Sequence, residues 1–220
     1  MGQRGVGKTT LLLQYLKSHF KLSEYLYFSA DDVYIINSSI YDIAEEFVKL
    51  GGKVIVIDEI HKYKNWAIEL KSIYDSFPEL MIRFSGSSAI EITNPDFARR
   101  YSMYRMPIFS FREYLEITQS IALPVYSLAS ILHNHETIVY EIMERLIDKK
   151  ILKLYDEFID VGVYPFYFED QAKYIDRIHE TINTVLYKDL GRLFHIQPDK
   201  IDTLKKLLLT ICVSKPLELS

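Results

Sequence analysis

Hydrophobic and polar residues alternate with two different periods along the first half of the chain, and the period separates helices from strands. Apolar residues recur at helical spacing from Thr9 to Phe20, from Ile40 to Leu50 and from Trp66 to Phe77. Short apolar or aromatic runs between these helices predict strands at 25–29, 53–57, 80–84 and 103–109. Alternating strands and helices favour an α/β fold with a parallel sheet, because parallel neighbours need a crossover connection.

The pattern becomes mainly helical after Ser110. Helices are predicted at 111–118, 138–154, 174–190 and 200–212, with an irregular stretch at 160–165. We therefore expect three parts: an α/β domain over 1–110, a helical lid or linker over 111–150, and the start of a helical C-terminal domain over 151–220.

A glycine-rich segment directly precedes the first helix and has the spacing of a phosphate-binding loop. Glycine permits backbone angles closed to other residues, so amide groups can surround phosphate oxygens. Lys8 can reach the β and γ phosphates of a nucleotide, and the Thr9 hydroxyl can bind Mg²⁺. The alternative is a flexible Gly/Lys turn. The candidate nucleotide-contacting residues are Gly2, Gln3, Arg4, Gly5, Val6, Gly7, Lys8, Thr9 and Thr10.

Two carboxylates follow the most hydrophobic strand. Four β-branched residues, Val54 to Ile57, predict a strand buried on both faces, and Asp58 and Glu59 come directly after it. The carboxyl ends of parallel strands open into the ligand crevice, so Asp58 is expected at the Mg²⁺ and Glu59 where an attacking water can be oriented. An acidic turn with no catalytic role is the alternative for Glu59.

These motifs resemble the AAA+ P-loop ATPases, in particular a prokaryotic and archaeal family of ATP-binding proteins whose ATPase domain precedes a helical domain of unknown function. The loop, the Ile57–Ile60 run, Ser85–Ala89 and Ser110–Leu115 stand in that family's order. The resemblance implies binding of ATP with Mg²⁺, and a polar sensor within Ser85–Ser88, for which Ser87 is favoured.

The resemblance also suggests an arginine finger that acts on the nucleotide of a neighbouring subunit, which would imply a homo-oligomer. Arg99 and Arg100 stand where such a module places it, and Arg100 is the candidate catalytic residue. The alternative is a solvated helix end, where cations are favourable.

The family pattern has a central strand before the phosphate-binding loop, whereas Met1 is followed at once by Gly2. We therefore expect that the sheet lacks its first strand. The corresponding expectation is that the chain is a fragment, cut before residue 1 and after Ser220.

Composition narrows the class of protein. Of 220 residues, 49% are hydrophobic and 25% charged, typical of a globular chain, and a net charge of −4 gives no global attraction for nucleic acid. The lone Cys212 fits a reducing cytoplasm, and no apolar run is long enough to span a membrane.

The expected function is Mg²⁺-dependent ATP hydrolysis coupled to an unknown partner or a fused effector domain. The main alternative is a slow nucleotide-dependent switch. Asp58-Glu59-Ile60-His61 also spells a DExH helicase box, although the helical second half is too short for a second helicase lobe. A small-molecule kinase would need an arginine-rich lid, whereas the arginines of the second half are scattered.

Overall fold

The computed structural model describes residues 1–86, 98–146, 150–162, 164–190 and 196–214. The first part contains strands that alternate with helices, and the second part is helical. The elements are α1 (Lys8–His19), β1 (Tyr25–Ser29), α2 (Val33–Ile36), α3 (Ile40–Lys49), β2 (Val54–Asp58), α4 (Trp66–Ser76), β3 (Met81–Phe84), α5 (Phe111–Gln119), α6 (Leu128–Arg145), α7 (Ile151–Val161), α8 (Tyr174–Asn183), a π-helix (Thr184–Leu190) and α9 (Pro198–Val213).

Within the described residues the sheet has three parallel strands in the order β1-β2-β3. Ser29 pairs with Asp58 at one end of β1 and β2, and Val54 pairs with Met81 where β2 meets β3. Every residue of β2 is buried. This confirms the predicted α/β class and the prediction that Val54 to Ile57 form a strand covered on both faces.

Alternate residues of β2 enter two different hydrophobic clusters. Ile55 and Ile57 pack with residues of α3 and α4, including the fully buried Leu70. Val54 and Val56 pack on the opposite face against Leu16 of α1. Because α1 continues from the glycine-rich loop, this second cluster fixes the loop relative to the end of β2.

The predicted strand at 103–109 is wrong, because this segment has no regular secondary structure. A strand bonds to its neighbour at several consecutive residues, whereas among the described residues this segment has backbone hydrogen bonds with Met1 alone. The Met1 ammonium donates to the Tyr104 carbonyl at 2.8 Å, and the Met106 amide donates to the Met1 carbonyl at 2.6 Å.

A cavity of about 980 Å³, lined by residues of β3 and of the 103–109 segment, lies beside the sheet. The expectation that the sheet lacks a strand ahead of the loop stays a prediction.

The predicted helix at 138–154 is also wrong, since α6 ends at Arg145 and α7 begins at Ile151. The apolar periodicity continues across this boundary, so tertiary packing decides it. Phe158 of α7 lies 5.5 Å from Phe111 and 5.5 Å from Tyr114 of α5, measured between ring centroids. These aromatic contacts orient α7 against α5.

No helix in the described part of the chain is long and apolar enough to cross a membrane.

Candidate functional site

The phosphate loop, which we define as Gly2 to Thr9, turns directly into α1. Gly5 and Gly7 have φ angles of 78° and 95°, in the left-handed region that disfavours residues with a Cβ. α1 begins at Lys8, immediately after Gly7. The positive end of the helix dipole and the first helical amides therefore lie at the loop, an arrangement suited to an anion.

Lys8 folds back across this loop. Its Nζ donates to the carbonyl oxygens of Gly2 at 3.0 Å and Gln3 at 2.7 Å, and the residue is only 8% exposed. Burial lowers the pKa of Lys8, while the nearby carboxylates of Glu59 and Asp58 act in the opposite direction. The Lys8 ammonium thus lies against the loop and near the carboxylates of Asp58, the last residue of β2, and Glu59, the next residue.

Asp58 is the point where three elements meet. It is 3% exposed, and its carboxylate accepts hydrogen bonds from the hydroxyls of Thr9 and Ser85. The Tyr27 hydroxyl donates at 3.1 Å and the Glu59 amide at 3.0 Å. The end of β2 is therefore joined to α1, β1 and the residue after β3.

These donors keep Asp58 ionised. Burial raises the pKa of Asp58, but the hydrogen bonds from Ser85, Thr9 and Tyr27 outweigh it, and the pKa lies below its ordinary value. Burial and the charge of Asp58 raise the pKa of Tyr27 to about 12. At neutral pH the pair is a carboxylate and a neutral phenol, so the proton stays on the tyrosine.

Glu59 has an unusual backbone conformation at the end of β2. Its φ is 49°, a left-handed value that is uncommon outside glycine and is found at functional sites. Its carboxylate lies 3.4 Å from Nε2 of His61, whose side chain is 2% exposed. The Glu59 side chain keeps 22% exposure, so it reaches solvent while His61 does not.

The sensor and finger candidates have different surroundings. Ser87 lies outside the described residues and stays a prediction, whereas Ser85 of the same stretch contacts Asp58. Arg100 makes two hydrogen bonds to Asp75 of α4, at 3.0 and 3.2 Å. That contact places Arg100 at the end of a helix of its own chain, and its role toward a neighbouring subunit stays a prediction.

The remaining candidate residues in and beside the loop differ in burial. Val6 is 3% exposed, whereas the Gln3 and Thr10 side chains are exposed. Val6 therefore anchors the loop in the protein, while Gln3 contributes its backbone carbonyl to Lys8.

Sequence reasoning missed two contributors to this site. Tyr27 pairs with Val56 in the register of β1 and β2, so the period of two places it on the same face as Asp58; that register could be found only by pairing the strands. Asp189, in the π-helix, accepts two hydrogen bonds from Arg4 of the phosphate loop. No sequence pattern points to this second contact, which joins positions 185 residues apart.

A family model described as an AAA domain matches residues 1–115. That range contains the phosphate loop, all three strands and Asp58, and it is more than half of the 220 residues. The chain belongs to the AAA domain family. Membership indicates a nucleotide-binding protein of the ATPase type, which agrees with the class predicted from the sequence.

The chain is also similar to an uncharacterized protein of Methanocaldococcus jannaschii, with 28% identity over 225 residues. The match covers 94% of this chain and 46% of the archaeal protein. The chain thus spans about half the length of that relative, and the similarity extends beyond the AAA domain into the helical region.

Proposed function

We propose that this chain binds ATP together with Mg²⁺ at the phosphate loop and hydrolyses it to ADP and phosphate. The observation that carries the proposal is the contact between Thr9, which begins α1 with Lys8, and Asp58 at the end of β2. This contact brings the anion-binding loop and the acidic strand end into one site. Each supplies what the other lacks for phosphoryl transfer, namely positive groups for the phosphates and hard oxygens for a metal.

The loop residues would bind the phosphates. Amides at the start of α1, and Lys8 after it leaves the carbonyls of Gly2 and Gln3, would contact the phosphate oxygens. The Lys8 ammonium is a flexible point charge and can make this change by rotation of its side chain. Its two present acceptors are neutral carbonyls, and a phosphate is the stronger acceptor.

Thr9 and Asp58 fit a Mg²⁺ ion. Both present hard oxygen ligands, and they already lie in hydrogen-bond contact. In the described part of the chain no group of three or more His, Cys, Asp or Glu side chains could hold a metal. A site with few protein ligands, completed by phosphate oxygens and water, is the usual arrangement for Mg²⁺. When bound, the metal would neutralise charge that develops on the phosphates.

Glu59 would orient the attacking water. Its carboxylate is partly exposed, and its left-handed backbone interrupts the extended conformation of β2. His61 lies 3.4 Å from this carboxylate and would hold it in a defined position. In this role His61 belongs to the ATPase site, and the helicase and kinase alternatives gain no support from it.

The Glu59–His61 contact also favours the second candidate function, a slow nucleotide-dependent switch. The carboxylate has two oxygens and can accept from histidine and from water together, but a carboxylate oriented by histidine must turn if the attacking water lies elsewhere. If this rearrangement is costly, the protein binds nucleotide and releases phosphate slowly. The chain would then act by its nucleotide state rather than by turnover.

Several finer assignments belong to the same proposal. Ser87 would act as the polar sensor and Arg100 as an arginine finger in a homo-oligomer. The chain would belong to the prokaryotic and archaeal ATP-binding proteins whose ATPase domain precedes a helical domain, and it would act in the cytoplasm. ATP use would be coupled to a partner or a fused effector domain.

Phosphate release in the presence of Mg-ATP tests the proposal. Glu59→Gln should abolish turnover and preserve binding of Mg-ADP, whereas Lys8→Met should weaken binding itself. Glu79→Gln and Lys17→Met remove the same charges from exposed positions and should change neither. Wild-type turnover no higher than that of Glu59→Gln, with intact binding, would favour the switch; no binding of Mg-ADP would refute both functions.

A further inference from the structure

The helical region holds the phosphate loop at Arg4. The Arg4 guanidinium donates through Nε and Nη2 to the two carboxylate oxygens of Asp189, at 2.7 and 3.0 Å. The side chains are only 25% and 17% exposed. A paired, two-bond contact of this kind is stronger and more directional than an ordinary surface ion pair.

A second contact lies at the next residue. Gly5 has a φ of 78°, and a Cβ placed there would lie 2.8 Å from Cε1 of Phe166. The backbone of the loop thus approaches an aromatic ring of the helical region with no room for a side chain. Together with Arg4 and Asp189, this contact makes the helical region a direct neighbour of the residues proposed to bind phosphate.

Asp189 also carries its negative charge among the cationic groups of the site. Burial raises its pKa, but the hydrogen bond from Arg4 and the charges of Arg4, Lys62 and His61 bring the pKa below its ordinary value. The charge of the same carboxylate also acts on Lys8, where it raises the pKa of the ammonium. Asp189 therefore supplies, from within the protein, the kind of charge that a phosphate would bring.

We propose that Asp189 competes with the phosphates of a bound nucleotide for Arg4, so that nucleotide binding releases the Thr184–Leu190 segment from the phosphate loop. The inference rests on the proposed nucleotide binding and adds its regulation. A phosphate next to Asp189 repels the carboxylate and offers Arg4 a bidentate acceptor of higher charge. Arg4 is part of the loop and can exchange one anion for the other.

Through this exchange, the helical region would respond to whether a nucleotide is bound at the phosphate loop. Coupling of this kind is reciprocal, so whatever pulls the Thr184–Leu190 segment away would strengthen nucleotide binding by the same factor. The segment is a π-helix continuing from α8, a rare form that occurs frequently at functional sites. A partner bound to the helical region could thereby control nucleotide affinity.

Calorimetric titration with Mg-ADP tests the competition. Asp189→Asn keeps the size of the side chain and removes its charge, and it should tighten Mg-ADP binding about tenfold, within the usual range of coupling factors. Glu141→Gln breaks an ion pair of 3.1 Å with Arg145 in the same helical region and should leave the affinity unchanged. An affinity of Asp189→Asn equal to or weaker than that of the wild type overturns the proposal.

Arg4→Gln separates exchange from simple charge repulsion. If Arg4 moves from Asp189 to the phosphate, the gain from Asp189→Asn should largely disappear in the Arg4→Gln background. If Asp189→Asn tightens Mg-ADP binding equally in the Arg4→Gln background, Asp189 acts only by electrostatic repulsion of the phosphates. The proposed exchange of Arg4 would then be refuted.

Hydrogen exchange of the wild-type chain gives a measurement that needs no variant. Saturating Mg-ADP should increase amide exchange across Thr184–Leu190, and unchanged or slower exchange there contradicts release. If the wild type and Asp189→Asn both fail to bind Mg-ADP, the proposed function fails and this inference with it. Wild-type binding without an effect of Asp189→Asn removes the inference alone.

Discussion

Asp58 is the residue whose replacement tests most directly how this site is held together. Its carboxylate accepts hydrogen bonds from Thr9, Ser85, Tyr27 and the Glu59 amide. The amide cannot accept a hydrogen bond in return, whereas the hydroxyls can rotate and do so. The two possible replacements, asparagine and alanine, therefore leave very different numbers of donors without an acceptor.

Asp58→Asn can satisfy all of these partners. Its carbonyl oxygen can take the Oδ1 position, which faces the Glu59 amide and Ser85, and its NH₂ can take the Oδ2 position, which faces the Thr9 and Tyr27 hydroxyls. Hydrogen bonds to a neutral amide are weaker than hydrogen bonds to a carboxylate, so the variant loses stability. It also no longer buries a charge, and this gain offsets part of the loss. We expect the free energy of unfolding to fall by about 1 kcal/mol.

Asp58→Ala removes the acceptor that these donors share. Thr9 and Tyr27 are less deeply buried and can turn to water, and the Glu59 amide keeps a contact of 3.4 Å with the Ser85 hydroxyl oxygen. The Ser85 hydroxyl, in a residue that is only 4% exposed, loses the carboxylate that accepts its hydrogen bond. Each buried donor without a partner costs about 1–3 kcal/mol. The Ser85 hydroxyl is one such donor, and the Glu59 amide keeps only its longer contact with Ser85, so the free energy of unfolding should fall by about 2–3 kcal/mol.

Urea unfolding followed by the fluorescence of Trp66, the single tryptophan of the chain, measures both changes. The matched control is Asp75, which is half exposed and pairs with Arg100; its Asn and Ala variants should each lie within about 0.5 kcal/mol of the wild type. Equal stabilities of Asp58→Asn and Asp58→Ala, or a more stable Asp58→Ala, would refute the argument that buried donors decide the stability here.

Three further predictions concern pH, the loop backbone and a hydroxyl. The folded pKa of Asp58 is below its ordinary value of 3.8, so the stability that the carboxylate contributes is complete above pH 3.8 and is lost as the pH falls toward the folded pKa. The difference between wild type and Asp58→Asn in urea unfolding should therefore shrink below pH 3.8. Gly5→Ala should destabilise more than Gly51→Ala in thermal unfolding, since both have positive φ but only Gly5 meets Phe166, with about 1 kcal/mol for Gly51; equal losses would contradict the close approach. Tyr27→Phe should cost about 1 kcal/mol in urea unfolding and raise the pKa of Asp58; an unchanged midpoint would show that the hydroxyl does not support the carboxylate.

Much of the α/β part could be predicted because its signals are local. The run of β-branched residues in β2 is apolar at consecutive positions, which favours a strand covered on both faces. The glycines at 5 and 7 stand where the backbone has positive φ. The strand predicted at 103–109 failed because strand pairing is not a local property; an apolar segment becomes a strand only where a neighbour bonds several of its residues.

The sequence by itself determined which groups are available and most of the local elements of the first half: a glycine-rich loop before α1, two carboxylates at the end of β2, and the amphipathic helices beside the strands. The tertiary structure alone decided which distant side chains meet these groups. Tyr27 reaches Asp58 through the register of two strands, and Asp189 reaches Arg4 across 185 positions of chain. Such contacts depend on how whole elements pack, because a single ion pair or hydrogen bond contributes far less free energy than the burial of the apolar faces that brings its partners together.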